Sequence, residues 1–249
     1  MSKQDNAGMY TLTTAVPMVN PNLAEPRAFK DENGKEKGEP KHGAQFLFDP
    51  QSIELVEMKK LMTEVARAKW GTAYQFDPKS SQLRAVKTSA EGKKVWDLGI
   101  EPVRLPLHLG EILADKRKAK RQKNNRPEDE QGKILRGKVV LKTTSIYRPK
   151  LGFLANGGLT ELESDDSVKV NASKFYNGAE ALAVFNFKAV GMDGKQYVTA
   201  YLQSVVVNGK GKRIAGGQSL ADQFKGYVGK PSMEDPIGHD EPVDDEIPY

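Results

Sequence analysis

The run EALAVFNFKAVGMDGKQYVTAYLQSVVV, residues 180–207, decides the fold. Asp193-Gly194 lies at its middle, a dipeptide that accepts the positive φ angles of a two-residue hairpin turn. Setting Met192 opposite Lys195 places Phe187 opposite Ala200 and Phe185 opposite Leu202. Strand side chains alternate between faces, so these four share a face with Ala183, Ala189, Val198 and Val206. That face is apolar and is expected to be core. The other face carries Asn186, Lys188, Tyr197, Thr199, Tyr201 and Gln203.

Outward from the hairpin, residues 133–147 (KILRGKVVLKTTSIY) alternate as a long strand, bent at Gly137. One face would present Arg136, Lys138, Val140, Lys142 and Thr144; the core side would present Leu135, Val139, Leu141 and Thr143. Before it, residues 115–126 (DKRKAKRQKNNR) hold seven cations in twelve positions and read as a solvated arm or loop. Nearer the N-terminus, Asp49-Pro50 reads as an N-cap and first turn. Leu55, Met58, Met62 and Val65 follow at helical spacing, which predicts an amphipathic helix over 50–70 with its methionines in the core. Residues 10–16 (YTLTTAV) read as a strand, after which Pro17, Pro21 and Pro26 are expected to break the chain. Residues 30–41 read as an exposed charged loop, and the apolar run 45–48 as the returning strand. Residues 219–227 (SLADQFKGY) suit a short helix. Residues 70–96 show no clear period.

Of the 249 residues, 38% are apolar, enough for a core, while 29% are charged and call for long solvated segments. No run of about 18 apolar residues is present, so no helical membrane span is expected. The polar start, Met1-Ser2-Lys3-Gln4-Asp5, lacks the apolar stretch of a signal peptide. Cysteine is absent, which excludes disulfides and thiolate metal sites and suits a reducing cytoplasm. The net charge of +5 is unevenly spread. Seven of the 33 acids and none of the 38 bases fall in residues 232–249, leaving about +12 on the remainder. Two organisations of that charge stay open, a polyanion-binding body and a merely soluble surface.

The second hairpin face likewise has two readings. Tyr197 and Tyr201 beside Lys188, Asn186 and Thr199 suit base stacking, with Arg136, Lys138 and Lys142 adding charge if their strand adjoins. Alternatively, the tyrosines pack under a loop. In the basic block, Lys116, Arg117, Lys118, Lys120 and Arg121 either clamp phosphates or stay solvated. At the C-terminal tip, Asp244, Asp245 and Glu246 precede Ile247, Pro248 and Tyr249. A basic pocket on a partner protein is suited to capture such a terminal ring and carboxylate. A purely solubilising tail has no need of Ile and Tyr at its end.

Catalytic signatures are missing. His42, His108 and His239 are scattered, residues 152–158 (GFLANGG) lack a phosphate-loop ending, and no HExxH or GxSxG occurs. Glu161, Glu163, Asp165 and Asp166 imitate a metal-dependent nuclease site, but acids beside serine in a loop are usually solvated. No catalytic residue, metal or cofactor is expected.

The tip DDEIPY resembles the acidic end of bacterial single-stranded DNA-binding proteins. VNPNLAEP (19–26), SIYRP (145–149), KFYNG (174–178) and MDGKQYV (192–198) occur in the order seen in a tailed-phage family of single-stranded DNA-binding proteins. The body is similar to that family over most of residues 8–228. This resemblance implies a mainly β protein, an OB-fold-like barrel with helical and basic-loop insertions over 1–229, followed by a disordered acidic tail over 230–249. It implies single-stranded DNA (ssDNA) as ligand, Arg148 among the contacts, and replication or recombination proteins as partners of the tail. It also allows a homodimer, and places the protein in the host cytoplasm if phage-encoded. A phage strand-annealing recombinase and, more remotely, a metal-dependent nuclease are the rival readings.

Overall fold

The hairpin forms in the expected register in the computed structural model, which describes residues 8–30, 35–155 and 157–214. Asp193 and Gly194 both take positive φ, 51° and 72°, so the turn twists with its strands. In chain order the strands are β1 (Met9–Thr11), β2 (Val16–Lys30), β3 (Glu36–Phe48), β4 (Tyr74–Asp77), β5 (Gln82–Thr88), β6 (Lys94–Trp96) and β7 (Val103–Arg104). They continue with β8 (Leu107–Leu109), β9 (Val139–Thr144), β10 (Lys150–Ala155), β11 (Gly158–Leu162), β12 (Glu180–Met192) and β13 (Lys195–Val207). The helices are α1 (Ile53–Trp70), α2 (Gly110–Gln122), α3 (Glu130–Leu135) and α4 (Asp165–Asn171).

Five strands close on themselves: β2 pairs β3, β3 pairs β9, β9 pairs β13, β13 pairs β12, and β12 returns to β2. Only the β9–β13 seam is parallel. Closure in this order is the OB-type barrel, which leaves no long free edge. The barrel fills with Met18, Leu23, Phe46, Phe48, Leu141, Phe185, Phe187 and Leu202, all buried. Phe46 meets Phe185 edge-on at 5.1 Å between ring centroids, a favoured aromatic geometry. Helix α1 packs on this core through the fully buried Leu55, Met58, Met62 and Ala66, three to four residues apart along one stripe. Its methionines are core, as expected. Gly71, at φ 68°, ends it and donates to the Arg67 carbonyl. The N-terminal strand is pinned to α1 by Glu54, which accepts from the Tyr10 hydroxyl, from Thr13 N and Oγ1, and from Thr14 N.

Several local expectations are corrected. Asp49 does not cap α1; Ser52 precedes the helix, and the Asp49 carboxylate pairs with Lys138 instead. Residues 10–16 are not one strand, since β1 ends at Thr11 and β2 starts at Val16. The prolines do not break the chain. Register slips after Val19, Asn22 and Arg27 place Pro21 and Pro26 in bulged stretches of β2, where no ladder donor is required. The expected loop over 30–41 is largely strand, because β3 begins at Glu36. Val206 leaves the core face: β13 bulges opposite Val184/Phe185, which turns Val205 and Val207 inward.

The largest corrections lie between α2 and β9. The basic block is helical, since lysine, arginine and alanine propagate a helix well. The expected strand over 133–147 is shorter. Residues up to Leu135 belong to α3, Gly137 turns the chain at φ 72°, and only 139–144 are strand. Ala114 and Leu135 cover Val19, Leu47 and Val140 on the outside of the barrel, forming a second small core. Asp129 organises this layer: it caps α3 through the Gly132 N–H at 2.9 Å and binds Arg117 at 2.6 Å and Arg121 at 3.2 Å. Its carboxyl is held below the usual range chiefly by the Arg117 hydrogen bond. Residues 219–227, the boundary expected at 229/230 and the whole acidic tail lie outside the described residues.

Candidate nucleic-acid interface

On the barrel exterior, Lys188 lies opposite Thr199 and Asn186 opposite Tyr201, as the hairpin register requires. The Lys188 ammonium stands 5.8 Å from the Tyr201 ring centroid, and the Arg104 guanidinium 5.7 Å from that of Tyr197. Both are cation–π distances, so each ring carries a positive charge at its side. Asn186 is different: its Oδ1 is buried without a hydrogen-bond partner, in the space beside Gly8.

The strand that carries Lys142 does adjoin the hairpin. β9 pairs β13, with Thr144 beside Tyr201 and Thr143 beside Ala200, so Thr144 and Lys142 extend the outer face. At its other end β9 pairs β8, with His108 opposite Val140. Lys142 and Lys116 therefore form one positive cluster beside His108. Burial, followed by the charge of Lys116, pulls the Lys142 ammonium below its usual range. Burial, followed by Lys142 and Lys116, pushes the His108 imidazolium down to about 4, so His108 is neutral near pH 7. No ion pair with a described carboxylate relieves Lys116 or Lys142. A desolvated cation without a counter-ion is suited to an incoming phosphate. A groove of about 550 Å³ opens next to them, lined by Asn22, Arg27, Lys41, Gln45, Lys142 and Thr144.

The other expected cations are placed elsewhere. Arg136 binds Asp115 at 3.0 Å and Glu128 at 2.8 Å, and Lys138 binds Asp49, so neither joins the hairpin face. Both sit where helix and turn replace the expected strand. Arg117 and Arg121 are engaged with Asp129 and tie α2 to α3. Lys118 follows Lys116 by two residues and so lies about 200° round the helix, on the far flank. Lys120, four residues on, shares the flank of Lys116. Arg148 pairs with Asp165 at a separate concavity of about 440 Å³, which Lys169 also lines. The structure thus gathers Tyr197, Thr199, Tyr201, Lys188, Lys142 and Lys116, with Lys120 on the flank of Lys116. Asn186 keeps to the same face with its Oδ1 buried, and Arg136, Lys138, Arg117, Arg121, Lys118 and Arg148 lie apart.

Arg104, Arg27, Lys41 and Gln45 were not singled out from sequence. For Arg104 a signal exists: in Val103-Arg104-Leu105-Pro106-Leu107-His108 the apolar residues alternate and are buried, which turns Arg104 and His108 outward. Among the described residues, no group of three or more His, Asp or Glu side chains is gathered to hold a metal ion, and Asp165 and Asp166 open α4. No described helix is long and apolar enough to cross a membrane.

Fold and face together define an OB barrel whose exterior carries tyrosines flanked by cations. Solved structures of the single-stranded DNA-binding protein from bacteriophage Enc34 share this fold. One is 14% identical and covers 88% of this chain and 90% of that one, with a TM-score of 0.52. Another, of the same protein in complex with ssDNA, is 16% identical and covers 84% and 90%, with a TM-score of 0.53. A C-terminally truncated form is 15% identical over 83% and 89%, with a TM-score of 0.52. No protein-family model and no curated protein matches the chain.

Proposed function

We propose that this protein binds ssDNA on the outer face of its barrel and acts by stoichiometric coating rather than by catalysis. The observation that carries the reading is the face itself. Tyr197 and Tyr201 present partly exposed rings beside Arg104 and Lys188, next to the uncompensated Lys116 and Lys142. Exposed rings accept the π-faces of unstacked bases, which a duplex keeps hidden, while the cations follow the phosphates. The shared fold of the Enc34 protein, solved with ssDNA, supports the same reading. Coating lowers the free energy of the open strand and melts its secondary structure by mass action.

A gel-shift series with single-stranded and duplex DNA, with and without magnesium, tests this. A discrete single-strand complex with intact DNA under both conditions is expected. Magnesium-dependent degradation would instead indicate a nuclease, and rings or filaments with annealed product a recombinase.

The acidic tail completes the proposal. Its seven acids are tethered to a body of about +12, so they compete with DNA phosphates at high effective concentration. Deleting residues 232–249 is expected to tighten ssDNA binding, most visibly at low salt, where screening is weakest. Ile247, Pro248 and Tyr249, with Asp244, Asp245 and Glu246, then recruit a replication or recombination protein. Deleting Tyr249 alone keeps every acid, so that variant is expected to bind DNA normally and to lose the partner in a pull-down. Weaker DNA binding after removal of the tail defeats the competition, and normal recruitment without Tyr249 reduces the tip to a solubilising end.

A further inference from the structure

The aromatic face does not stop at the barrel. Tyr197 pairs directly with Arg104 on β7, Arg104 with Gln82 on β5, and, four residues along β5, Val86 with Trp96 on β6. Directly paired residues project to the same side of a sheet, and residues two apart on a strand share a side. Tyr197, Arg104, Gln82, Arg84 and Trp96 therefore share one face. The alternate residues confirm the assignment, because Leu83, Ala85, Val103 and Val198 are all buried in the core. Arg104 beside the Tyr197 ring marks the same side independently.

Trp96 is 38% exposed and packs against no other aromatic ring among the described residues. Exposing a tryptophan on an edge strand forgoes the large gain available from burying it. The acid directly opposite Gln82, Asp77, does not oppose a polyanion. It is held by Arg84 at 2.8 Å, by the Ser80 hydroxyl and by the Lys79 N–H. β4 occupies one edge of β5, so β6 lies on the same edge as β7. Trp96 therefore stands about one strand spacing across and about four residues along from Tyr197, on the order of 14 Å.

We propose that the ssDNA track continues off the barrel over the face of β7, β5 and β6, with Arg104 meeting phosphate and Trp96 serving as a third stacking platform. This rests on the ssDNA reading above. It lengthens the binding site by a few nucleotides and puts the end of the track on a sheet extension outside the five-stranded barrel.

The chain has two tryptophans, so a full-length Trp70→Phe variant reports Trp96 fluorescence alone. It is titrated with oligothymidylates from about 4 to about 16 nucleotides, the span of OB-type sites. Short oligonucleotides are expected to bind without quenching Trp96, and longer ones to quench it. Trp96→Ala is expected to remove roughly 5–150-fold of the affinity gained on lengthening, the range of one stacked base, and Trp96→Phe to restore most of it. Oligonucleotides that bind tightly at every length while Trp96 stays unquenched overturn the extended track and leave the barrel site standing. Failure of every oligonucleotide to bind defeats the ssDNA reading itself, and the extension with it.

Discussion

Replacing both Tyr197 and Tyr201 by alanine is expected to weaken ssDNA binding by roughly 2–6 kcal/mol, since each stacked ring contributes about 1–3 kcal/mol. The two rings stand on β13 with Arg104 and Lys188 beside them. Truncation removes the platforms and leaves those cations with less to orient them. Folding should change little, because the core side of the hairpin is built by Phe185, Phe187, Val198, Ala200 and Leu202. Anisotropy titration of a labelled oligonucleotide reads the affinity, and urea unfolding the stability. Phenylalanine at both positions keeps the π-faces and is expected to retain most of the binding. If the double alanine variant folds and binds like the parent, the stacking face is misassigned.

The second large effect is expected at Gly110, remote from the tyrosines. A Cβ there would stand 1.8 Å from the Leu135 carbonyl oxygen and 2.7 Å from that of Lys138. Both are backbone atoms, so no side chain can swing aside. The Gly110 N–H also donates to Lys138 O at 2.8 Å, which fixes the start of α2 against the turn into β9. Gly110→Ala must therefore move α2 off the barrel or distort β9. Overpacking typically costs about 1–3 kcal/mol, and a backbone clash belongs at or above the top of that range. The urea midpoint should fall accordingly. Because α2 carries Lys116 and Lys120, the variant should also bind ssDNA with a weaker salt dependence. Unchanged stability would show that α2 does not dock where the structure places it.

The hairpin was legible because its information is local. Asp193-Gly194 fixes the turn, the turn fixes the register, and alternation then separates Phe185 and Phe187 from Tyr197 and Tyr201. The slip at Val206 was not legible, since the bulge depends on how β12 meets its neighbours. β2 was misread for the opposite reason: Pro17, Pro21 and Pro26 are local breakers, but bulges let the strand keep them. The basic block shows a further limit. Composition gave the positive charge, whereas its distribution depends on Asp129, Asp115 and Glu128, which neutralise Arg117, Arg121 and Arg136 through tertiary contacts. Lys116 and Lys120 stay available because helical spacing carries them to the flank facing Lys142. Arg104 was readable from alternation. Trp96 was not, because its place on the face follows only from pairings across three strands.

The central claim is that the outer barrel face holds ssDNA by stacking and phosphate contact. Its most direct test is the slope of log affinity against log salt for one oligonucleotide as a single strand and as a duplex. The comparison uses the intact protein and a variant with Lys116, Lys120 and Lys142 changed to glutamine. Each single-strand phosphate contact contributes about −0.7 to that slope, so losing three cations should flatten it by roughly 2. The single strand should bind more tightly than the duplex at every salt concentration, and the residual affinity of the variant should still depend on Tyr197 and Tyr201. A duplex bound as tightly as the single strand, or a slope unchanged by the three substitutions, would contradict the account.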